Sequence, residues 1–430
     1  MTLEEAIAYI EDYSWSTSRL GLDRTRELLN KLGDPQDKLK FVHVAGTNGK
    51  GSTCAMTESI LRHAGFRTGF YPSPFIEDFR ERIQVNGEYI TEEALTRITE
   101  RVSKVADAMD DHPSQFELIT AIGMLYFEEM KCDIVVLEVG LGGALDSTNV
   151  IKAPLVAVIT NIGLDHTEYL GDTVEAIAKT KAGIIKPGTH CVSYRQRRSV
   201  EAVIREDCKE KNVDVTFAGE CTKLSHTLDG QSFSYKGKTY ELGLLGVHQR
   251  RNAATVLEII ECLRKQGYKI SEEAVACGLK EVRWPARFEV LGKDPLFILD
   301  GGHNPQCAEA LIESIREYVA DPDKGEKVTF LIGMLADKDY ETTLRLLAPF
   351  GAEYICITPD SPRALNASGL AEEINKMCTE NGTKDKVRIC VRENIDDAIM
   401  TADESQYPTI AFGSLYSAGE IRRRYRILHK

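Results

Sequence analysis

A glycine-rich stretch near the amino terminus, "AGTNGKGST" at Ala45–Thr53, carries residues that could bind the phosphates of a nucleotide. Its centre fits the phosphate-loop pattern G-x-x-x-x-G-K-[ST], but Val44 stands at the first glycine position and Gly51 follows Lys50 where a hydroxyl is usual. A lysine beside the N–H groups of a helix start would neutralise phosphate charge. We therefore favour a phosphate loop over a lysine-bearing tight turn, and we expect Mg²⁺ to be held partly by residues from elsewhere.

Acidic residues and histidines follow three further strand-like runs. Glu138 lies near the end of "CDIVVLEVG", Asp165 and His166 follow "APLVAVITNIG", and Asp300 and His303 follow "LFIL". A carboxylate at a strand end near a phosphate loop suits Mg²⁺, which prefers oxygen ligands. The alternatives are a solvated strand-end carboxylate for Glu138 and a surface histidine for His166.

Two of the candidate stretches also have a purely structural interpretation. In "LDGGHNP", Asn304 would cap a helix whose first residue is Pro305. In "KTKAGIIKPG", Lys179, Lys181 and Lys186 would form the basic last turn of a helix that ends before the Pro-Gly pair. Neither stretch establishes a site by itself.

A second glycine-rich stretch, "LEVGLGGALDSTN", gives the main competing hypothesis. Gly140, Gly142 and Gly143 follow a strand, as in the dinucleotide fingerprint G-x-G-x-x-G, but Leu145 occupies the last glycine position. The alternative function is therefore a nicotinamide-dependent oxidoreductase that uses the Gly140–Gly143 loop. The sequence has no G-x-S-x-G elbow and no cysteine–histidine signature, so an enzyme here would activate its substrate with ATP rather than with a protein nucleophile.

The elements that must position these residues alternate between strands and helices. Short apolar runs separated by helical stretches predict a largely parallel sheet that is covered on both faces. "ERIQVNGEYI" predicts a hairpin at Asn86-Gly87, and "HTLDGQSFSYKGKTYEL" predicts a small antiparallel excursion. We expect an α/β fold: a phosphate-loop ATPase domain with a mostly parallel sheet at residues 1–292, and a smaller Rossmann-like α/β domain at residues 293–430.

Composition narrows the classes of partner. The 430 residues carry a formal net charge of −13, which argues against nucleic acid as the main partner. No run approaches 18 apolar residues, and the acidic start is unlike a signal peptide, so we expect no membrane association. Eleven cysteines without a C-x-x-C pair indicate reduced core residues of a cytoplasmic protein, and they make zinc an unfavoured cofactor.

Ten short motifs, taken in series, resemble one family. They run in order from His43 to Tyr416: "HVAGTNGKGS", "SPF", "FELIT", "LEVGLGGALDSTN", "LDHTEYLGDT", "KAGIIKPG", "HQRRNA", "PARFE", "LDGGHNP" and "FGSLY". Together they are similar to the folylpolyglutamate synthases, with the Mur ligases of cell-wall synthesis as more distant relatives. The resemblance covers nearly the whole chain.

The resemblance implies roles for individual residues. It implies ATP binding by Thr47, Asn48, Gly49, Lys50, Gly51, Ser52, Asn252, Arg287, Asp300 and His303. It implies two Mg²⁺ sites built from Ser73, Glu138, His166 and Lys181. Lys181 would be carbamylated, and the catalytic residues would be Lys50, Lys181 and His166. The pteridine of the substrate would lie near Leu20, Phe116, Glu117 and Asp146.

The implied activity is an ATP-dependent carbon–nitrogen ligation. L-Glutamate would be added to the glutamate carboxylate of a (tetrahydro)folate through an acyl phosphate, and we expect a monomer. A dihydrofolate synthase activity, with dihydropteroate as the acceptor, is the close alternative. A non-catalytic ATP-binding module is disfavoured because both predicted domains carry candidate ligands.

Overall fold

The computed structural model describes residues 1–12 and 21–430. The chain divides into two compact units that are not continuous in sequence. The first unit contains residues 1–222, 233–241 and 251–282, and the second contains residues 223–232, 242–250 and 283–430.

The first unit is built on an eight-stranded sheet with the order β4-β3-β2-β5-β1-β6-β7-β8. All neighbouring strands are parallel except β2 with β3 and β3 with β4. Its strands are β1 (Phe41–Ala45), β2 (Thr68–Tyr71), β3 (Gln84–Val85), β4 (Glu88–Tyr89), β5 (Ile134–Glu138), β6 (Val156–Ile159), β7 (His190–Ser193) and β8 (Val215–Phe217). Every residue of β1, β2, β5 and β6 is buried, as predicted for a sheet covered on both faces.

Ten α-helices lie within the described residues before Val282. They are α1 (Leu3–Asp12), α2 (Asp23–Lys31), α3 (Lys50–His63), α4 (Glu92–Ala106), α5 (Gln115–Glu129), α6 (Thr167–Leu170), α7 (Val174–Ala182), α8 (Arg198–Glu210), α9 (Val247–Lys265) and α10 (Glu272–Glu281). One apolar core joins α1, α2, α4 and α5 to β2 and β5, and a second core joins α7 and α8 to β6 and β7.

Two predicted turns connect short strands. Asn86 and Gly87 both have positive φ, 53° and 81°, and they join the antiparallel strands β3 and β4, so the predicted hairpin is confirmed. Further along, β9 (Thr222–Thr227), β10 (Gly230–Tyr235) and β11 (Lys238–Leu242) form a three-stranded sheet in the order β11-β10-β9. Two residues connect β9 to β10, and two connect β10 to β11. Connections this short join antiparallel strands, which agrees with the small antiparallel excursion predicted for this stretch.

The second unit contains a six-stranded sheet with the order β12-β13-β17-β14-β15-β16. Only β12 and β13 are antiparallel to each other. Its strands are β12 (Glu289–Lys293), β13 (Leu296–Leu299), β14 (Val328–Ile332), β15 (Gly351–Cys356), β16 (Arg388–Val391) and β17 (Thr409–Phe412). Its helices are α11 (Pro305–Tyr318), α12 (Tyr340–Leu347), α13 (Ala367–Glu380), α14 (Ile395–Asp403) and α15 (Leu415–Leu428).

The predicted α/β class with two mostly parallel sheets is confirmed. The predicted boundary between residues 292 and 293 falls inside β12, which pairs with β13. The division between the two compact units lies before β12 in the sequence, because the second unit resumes at Arg283. Asn304 caps α11 and Pro305 is its first residue, as predicted. Across residues 1–12 and 21–430, every helix is too short or too polar to span a membrane.

Candidate functional site

The predicted phosphate loop lies between the carboxyl end of β1 and the start of α3 in the first unit. Gly49 immediately precedes α3 and has a φ of 85°, a left-handed conformation that favours glycine. A Cβ at this position would lie 2.7 Å from Oδ1 of Asn252, so a side chain there would displace Asn252. The structure thus places the buried Asn252, predicted to bind ATP, against the loop.

The backbone of the loop is fixed by the segment that follows β6. The amides of Thr47 and Asn48 both donate to the carbonyl of Asn161, at 2.8 and 3.2 Å. The Thr47 hydroxyl donates to the carbonyl of Gly163 at 3.0 Å. These bonds shape the loop, and the ATP-binding roles of Thr47 and Asn48 stay predictions.

The amides at the start of α3 are the ones that can face an anion. The hydrogen-bond ladder of the helix begins with the Thr53 amide, which donates to the Gly49 carbonyl at 2.9 Å. The first amides of a helix precede this bond and find no acceptor within the ladder, as those of Lys50 and Gly51 do here. The helix start thus offers N–H groups and a positive dipole end to a phosphate.

Lys50 places its ammonium group back over the loop. Its Nζ donates to the carbonyls of Gly46 and Thr47, each at 3.2 Å. These two neutral acceptors hold the cation close to the N–H groups of the helix start. A phosphate oxygen would be a stronger partner for Nζ than a neutral carbonyl, since charge-assisted hydrogen bonds are roughly twice as strong.

Glu138 ends β5, the strand that pairs with β1. Its side chain is buried, and its Oε2 accepts a hydrogen bond from the Ser73 amide at 3.1 Å. The buried thiol of Cys54 is affected by the charges of both Glu138 and Lys50. Burial is the main cause that raises its pKa; the Glu138 charge raises the pKa further, and the Lys50 charge lowers it. The structure thus brings Ser73, Glu138 and Lys50 into one electrostatic neighbourhood.

This donor set suits Mg²⁺, which takes one or two protein oxygens and completes its shell with water and phosphate. Glu138 supplies a buried carboxylate, and Ser73 supplies a hydroxyl on a residue whose own amide is fixed by that carboxylate. Over the described ranges of the chain, no three His, Cys, Asp or Glu side chains cluster as a metal site. Glu138 and Ser73 would therefore depend on substrate oxygens and water to complete the ligand shell.

Lys181, near the end of α7, is deeply buried, with 4% of its surface exposed. Burial chiefly, and the Lys50 charge in addition, lower the pKa of its ammonium group to about 7, although Asp165 and Asp146 act in the opposite direction. About half of the Lys181 amines are therefore neutral at pH 7, whereas an ordinary lysine is almost wholly charged there. The alternative prediction, that Lys181 belongs to a solvated basic helix end, does not fit this burial. That prediction does fit Lys179, which is half-exposed and pairs with Asp207 at 3.1 Å.

His166 lies on the loop after β6, just before α6. Its φ of 49° is unusual for a residue with a side chain, and its amide donates to Oδ1 of Asp165 at 2.9 Å. Its imidazole is partly exposed, with Nε2 lying 3.9 Å from Oδ1 of Asp165. The exposed ring remains accessible to a ligand, so the metal role of His166 stays a prediction.

The glycines of the competing dinucleotide hypothesis are used for packing inside the protein. A Cβ on Gly140 would lie 2.6 Å from the Phe116 ring, and a Cβ on Gly143 would lie 2.9 Å from the Cα and carbonyl oxygen of Lys181. In addition, β5 is followed by a short 3₁₀ helix at Ser147–Val150 rather than by the α-helix that the fingerprint requires. The loop therefore supports Lys181 and does not present a pyrophosphate site.

Two of the residues predicted to bind the pteridine are engaged in local structure. Oε2 of Glu117 accepts from the Ser114 amide at 2.8 Å and hydroxyl at 2.7 Å in a capping box, while its other oxygen accepts from the Thr25 hydroxyl at 3.1 Å. Asp146 accepts from the amides of Leu141 and Thr148, at 2.8 and 3.0 Å. These bonds explain why both carboxylates are buried.

The other two pteridine predictions have different outcomes. The half-buried ring of Phe116 packs edge-on against Tyr71, with 6.1 Å between ring centroids, and it covers Gly140. Leu20 lies outside the described residues. The role of all four residues in substrate binding stays a prediction.

In the second unit, Asp300 follows β13 and fixes a turn that contains Arg287. Its oxygens accept from the amides of Phe288 and Gly302, at 2.9 and 2.8 Å. A carboxylate has about four acceptor positions, so these two bonds do not by themselves exhaust those of Asp300. Arg287 lies beside Gly301, and Nδ1 of His303 lies 3.2 Å from the Gly301 carbonyl.

Sequence reasoning missed three residues that support these groups. Asn161 supplies the carbonyl that holds the phosphate loop, and no side-chain signal identifies such a backbone contact. Glu289 and Arg422 form an ion pair at 2.9 Å next to the Arg287 turn. Glu289 stands inside the quoted motif "PARFE", and that position was the available signal.

The chain is similar to known proteins over almost its full length. Residues 44–260 match the Mur ligase middle domain, and residues 286–408 match the Mur ligase glutamate ligase domain. The dihydrofolate synthase/folylpolyglutamate synthase of Bacillus subtilis strain 168 is 35% identical over 441 residues, covering 97% of this chain and 99% of the relative.

Solved structures show the same likeness. Mycobacterium tuberculosis folylpolyglutamate synthase, crystallised with ADP and AMPPCP, has a TM-score of 0.87 at 29% identity, covering 98% of this chain and 99% of that chain. An Escherichia coli protein in complex with DHPP and ADP has a TM-score of 0.85 at 30% identity, covering 100% and 99%.

Proposed function

Since the chain belongs to the folylpolyglutamate synthase family of Mur ligases, we propose that it adds L-glutamate to the glutamate carboxylate of a (tetrahydro)folate at the expense of ATP. The family resemblance and the class of reaction, an ATP-dependent ligation of an acid to an amino acid, are confirmed. The nicotinamide-dependent alternative has no support in these relatives, and the packing of Gly140 and Gly143 argues against it.

The observation that carries this proposal is a phosphate loop whose Lys50 acts electrostatically on the same buried region as Glu138 and on Lys181. A loop lysine and helix amides provide positive charge for phosphate oxygens, while a buried carboxylate provides a metal ligand. The similar structures hold ADP and a nucleotide analogue, which supports ATP as the ligand of this loop.

The proposed reaction has two steps. A carboxylate oxygen of the folate attacks the γ-phosphorus of ATP; the bond from that phosphorus to ADP breaks, and an acyl phosphate forms. The amine of L-glutamate then attacks the acyl carbon, inorganic phosphate leaves with the bonding electron pair, and the nitrogen loses a proton as the amide forms. The protein must hold three substrates in line and neutralise the transferring group.

Different residues of this chain would neutralise the transferring phosphoryl group and hold the metal ions. Lys50 and the first-turn amides of α3 stabilise the charge on the transferring phosphoryl group. Ser73, Glu138, His166 and carbamylated Lys181 would hold Mg²⁺ at two sites, and Mg²⁺ when bound supplies positive charge at the phosphate oxygens.

Lys181 can be converted to a metal ligand because its amine is partly neutral at pH 7. The neutral nitrogen bonds to the carbon of CO₂, one nitrogen proton is released, and an anionic carbamate with two oxygens remains. This change replaces a cation that would repel Mg²⁺ by the hard oxygen ligand that Mg²⁺ prefers.

Dihydrofolate synthesis from dihydropteroate is the second candidate activity. The Bacillus subtilis relative is named for both activities, and this observation favours testing both acceptors. Eleven free cysteines support a reducing compartment, and we propose a cytoplasmic monomer.

The test is phosphate release with ATP, Mg²⁺ and L-glutamate, comparing reduced folates with dihydropteroate, and product mass by mass spectrometry. A product heavier by one glutamate residue supports the proposal. Absence of an ATP-dependent amide product with every acceptor would refute it. Mass measurement by light scattering tests the monomer.

A further inference from the structure

The turn around Arg287 in the second unit has an unusual backbone. Ala286 and Phe288, the residues on either side of Arg287, have φ of 53° and 48°. Left-handed conformations are uncommon for residues with side chains, because the Cβ atom then crowds the backbone. A bulky residue such as Phe288 adopts one only where the surrounding structure imposes it.

Three hydrogen bonds impose this conformation. The Ala286 amide donates to Oε2 of Glu289, and the Phe288 amide donates to Oδ2 of Asp300, each at 2.9 Å. The Ala286 carbonyl accepts from the Gly301 amide at 2.9 Å. One carboxylate therefore holds the backbone on each side of Arg287.

Glu289 is itself held by α15. Nε of Arg422 donates to both of its carboxylate oxygens at 2.9 Å, and Arg426 lies 3.7 Å away. The side chains of Glu289 and Arg422 are only 20% and 14% exposed, so this is a shielded ion pair rather than a loose surface contact. The position of Glu289 is thus fixed independently of the turn that it holds.

Arg287 takes its direction from this turn. Its Nη1 donates to the carbonyl of Ala286 at 2.9 Å and lies over Gly301. Arg287, Glu289 and Arg422 also border a cavity of about 430 Å³ within the second unit. A relaxation of the Ala286 or Phe288 backbone would move the Arg287 side chain relative to this cavity.

We propose that Glu289, held by Arg422, is a positioning residue that keeps Arg287 in the conformation in which it would bind ATP. The proposal rests on the proposed function and assigns no contact between Glu289 and the nucleotide. Loss of Glu289 removes the acceptor of the Ala286 amide, so that the left-handed conformation relaxes and Arg287 loses its fixed direction. The affinity for ATP then falls, while the affinities for folate and L-glutamate do not.

The test is a double-mutant cycle between Glu289 and Arg287. Glu289→Ala should raise the KM and the calorimetric Kd for ATP about tenfold, with unchanged KM for folate and L-glutamate. In an Arg287→Ala background the same change should add less than about twofold, because the positioned group is gone. Glu289→Gln retains an acceptor for the Ala286 amide and should give a smaller increase than Glu289→Ala.

Glu353→Ala is the matched control, since Glu353 lies in the second unit, is 15% exposed and forms an ion pair with Arg388 at 3.7 Å. This control should leave ATP binding unchanged. Arg422→Met leaves the turn residues intact and should raise the Kd for ATP in the same direction as Glu289→Ala.

Three results would overturn the positioning role: an unchanged Kd for ATP in Glu289→Ala, equal increases in the KM of all three substrates, or fully additive losses in the cycle. ATP binding without amide formation by the wild-type protein would instead refute the proposed function, and the calorimetric cycle would still decide the role of Glu289.

Discussion

Replacing Lys181 with methionine should make the protein more stable at neutral pH while abolishing the activity. Methionine has a similar length and no charge, so it fills the buried position without the cost of an ammonium group. The wild-type lysine remains half protonated at pH 7 because its pKa falls to about 7 from an ordinary value of 10.5.

The size and the sign of the effect follow from proton linkage. Between pH 7 and 10.5 the unfolded chain holds the Lys181 proton more tightly than the folded chain, so the free energy of unfolding rises with pH across this window. The Lys181 contribution changes by on the order of 4 kcal/mol over the window. The advantage of the methionine variant should therefore be greatest at pH 7 and should fall by about 1.4 kcal/mol per pH unit between pH 8 and 10.

The assay is urea-induced unfolding followed by circular dichroism at several pH values in CO₂-free buffers. Only the difference between wild type and Lys181→Met is interpreted, so that other groups that titrate at high pH cancel. Lys179→Met is the matched control on the same helix. Its side chain is 54% exposed, and its buried partner Asp207 keeps an ion pair with Lys211 at 2.5 Å, so the loss of Lys179 should cost about 1 kcal/mol and should not add stability at pH 7.

A difference between wild type and Lys181→Met that does not change with pH would refute the reasoning, because it would show that Lys181 titrates normally. So would a methionine variant that is less stable than wild type at pH 7. Addition of ¹³C-bicarbonate to wild type provides an independent check: a carbamate carbon signal should appear, and it should be absent in Lys181→Met.

Three further predictions address other parts of the site. Lys50→Ala should lower turnover by about a hundredfold or more with an unchanged circular dichroism spectrum, and near-normal turnover in a phosphate-release assay would contradict the phosphate role. Glu138→Gln should raise the Mg²⁺ concentration for half-maximal activity by at least about tenfold, which a Mg²⁺ titration measures; an unchanged requirement would remove Glu138 from the ligand set. Gly143→Ala should lower the free energy of unfolding by about 1–3 kcal/mol, because its Cβ would lie 2.9 Å from the Lys181 backbone, and equal urea midpoints would contradict this close approach.

The features that local sequence determines could be predicted. A buried run, a glycine turn and a helical period specified β1, the phosphate loop and α3 within about 20 residues of sequence. Asn304 and Pro305 specified the first turn of α11, and Asn86-Gly87 specified the hairpin, because each uses backbone preferences of individual residue types.

Interactions between distant segments could not be predicted in the same way. The acceptor of the Thr47 and Asn48 amides is the carbonyl of Asn161, which any residue type could supply. The left-handed Ala286 and Phe288 contradict local preference, and hydrogen bonds with Glu289, Asp300 and Gly301 stabilise them.

The structural role of Glu117 could have been predicted from its spacing to Ser114. Ser114 and Glu117 have the S-x-x-E spacing of a capping box, and the structure forms that box. Sequence alone also could not reveal the burial of Lys181, since the same "KTKAGIIKPG" pattern fits an exposed helix end.

The attachment of the phosphate loop to Asn161 has a consequence for the kinetics of nucleotide capture. Because hydrogen bonds within the protein fix Thr47 and Asn48, the loop does not have to order when ATP arrives. Ordering one backbone residue costs about 1–2 kcal/mol, and this entropy is already lost in the free protein. Loop ordering therefore does not limit the rate of association. In stopped-flow mixing, the observed rate constant for ATP binding to this loop should rise linearly with ATP concentration and should not saturate.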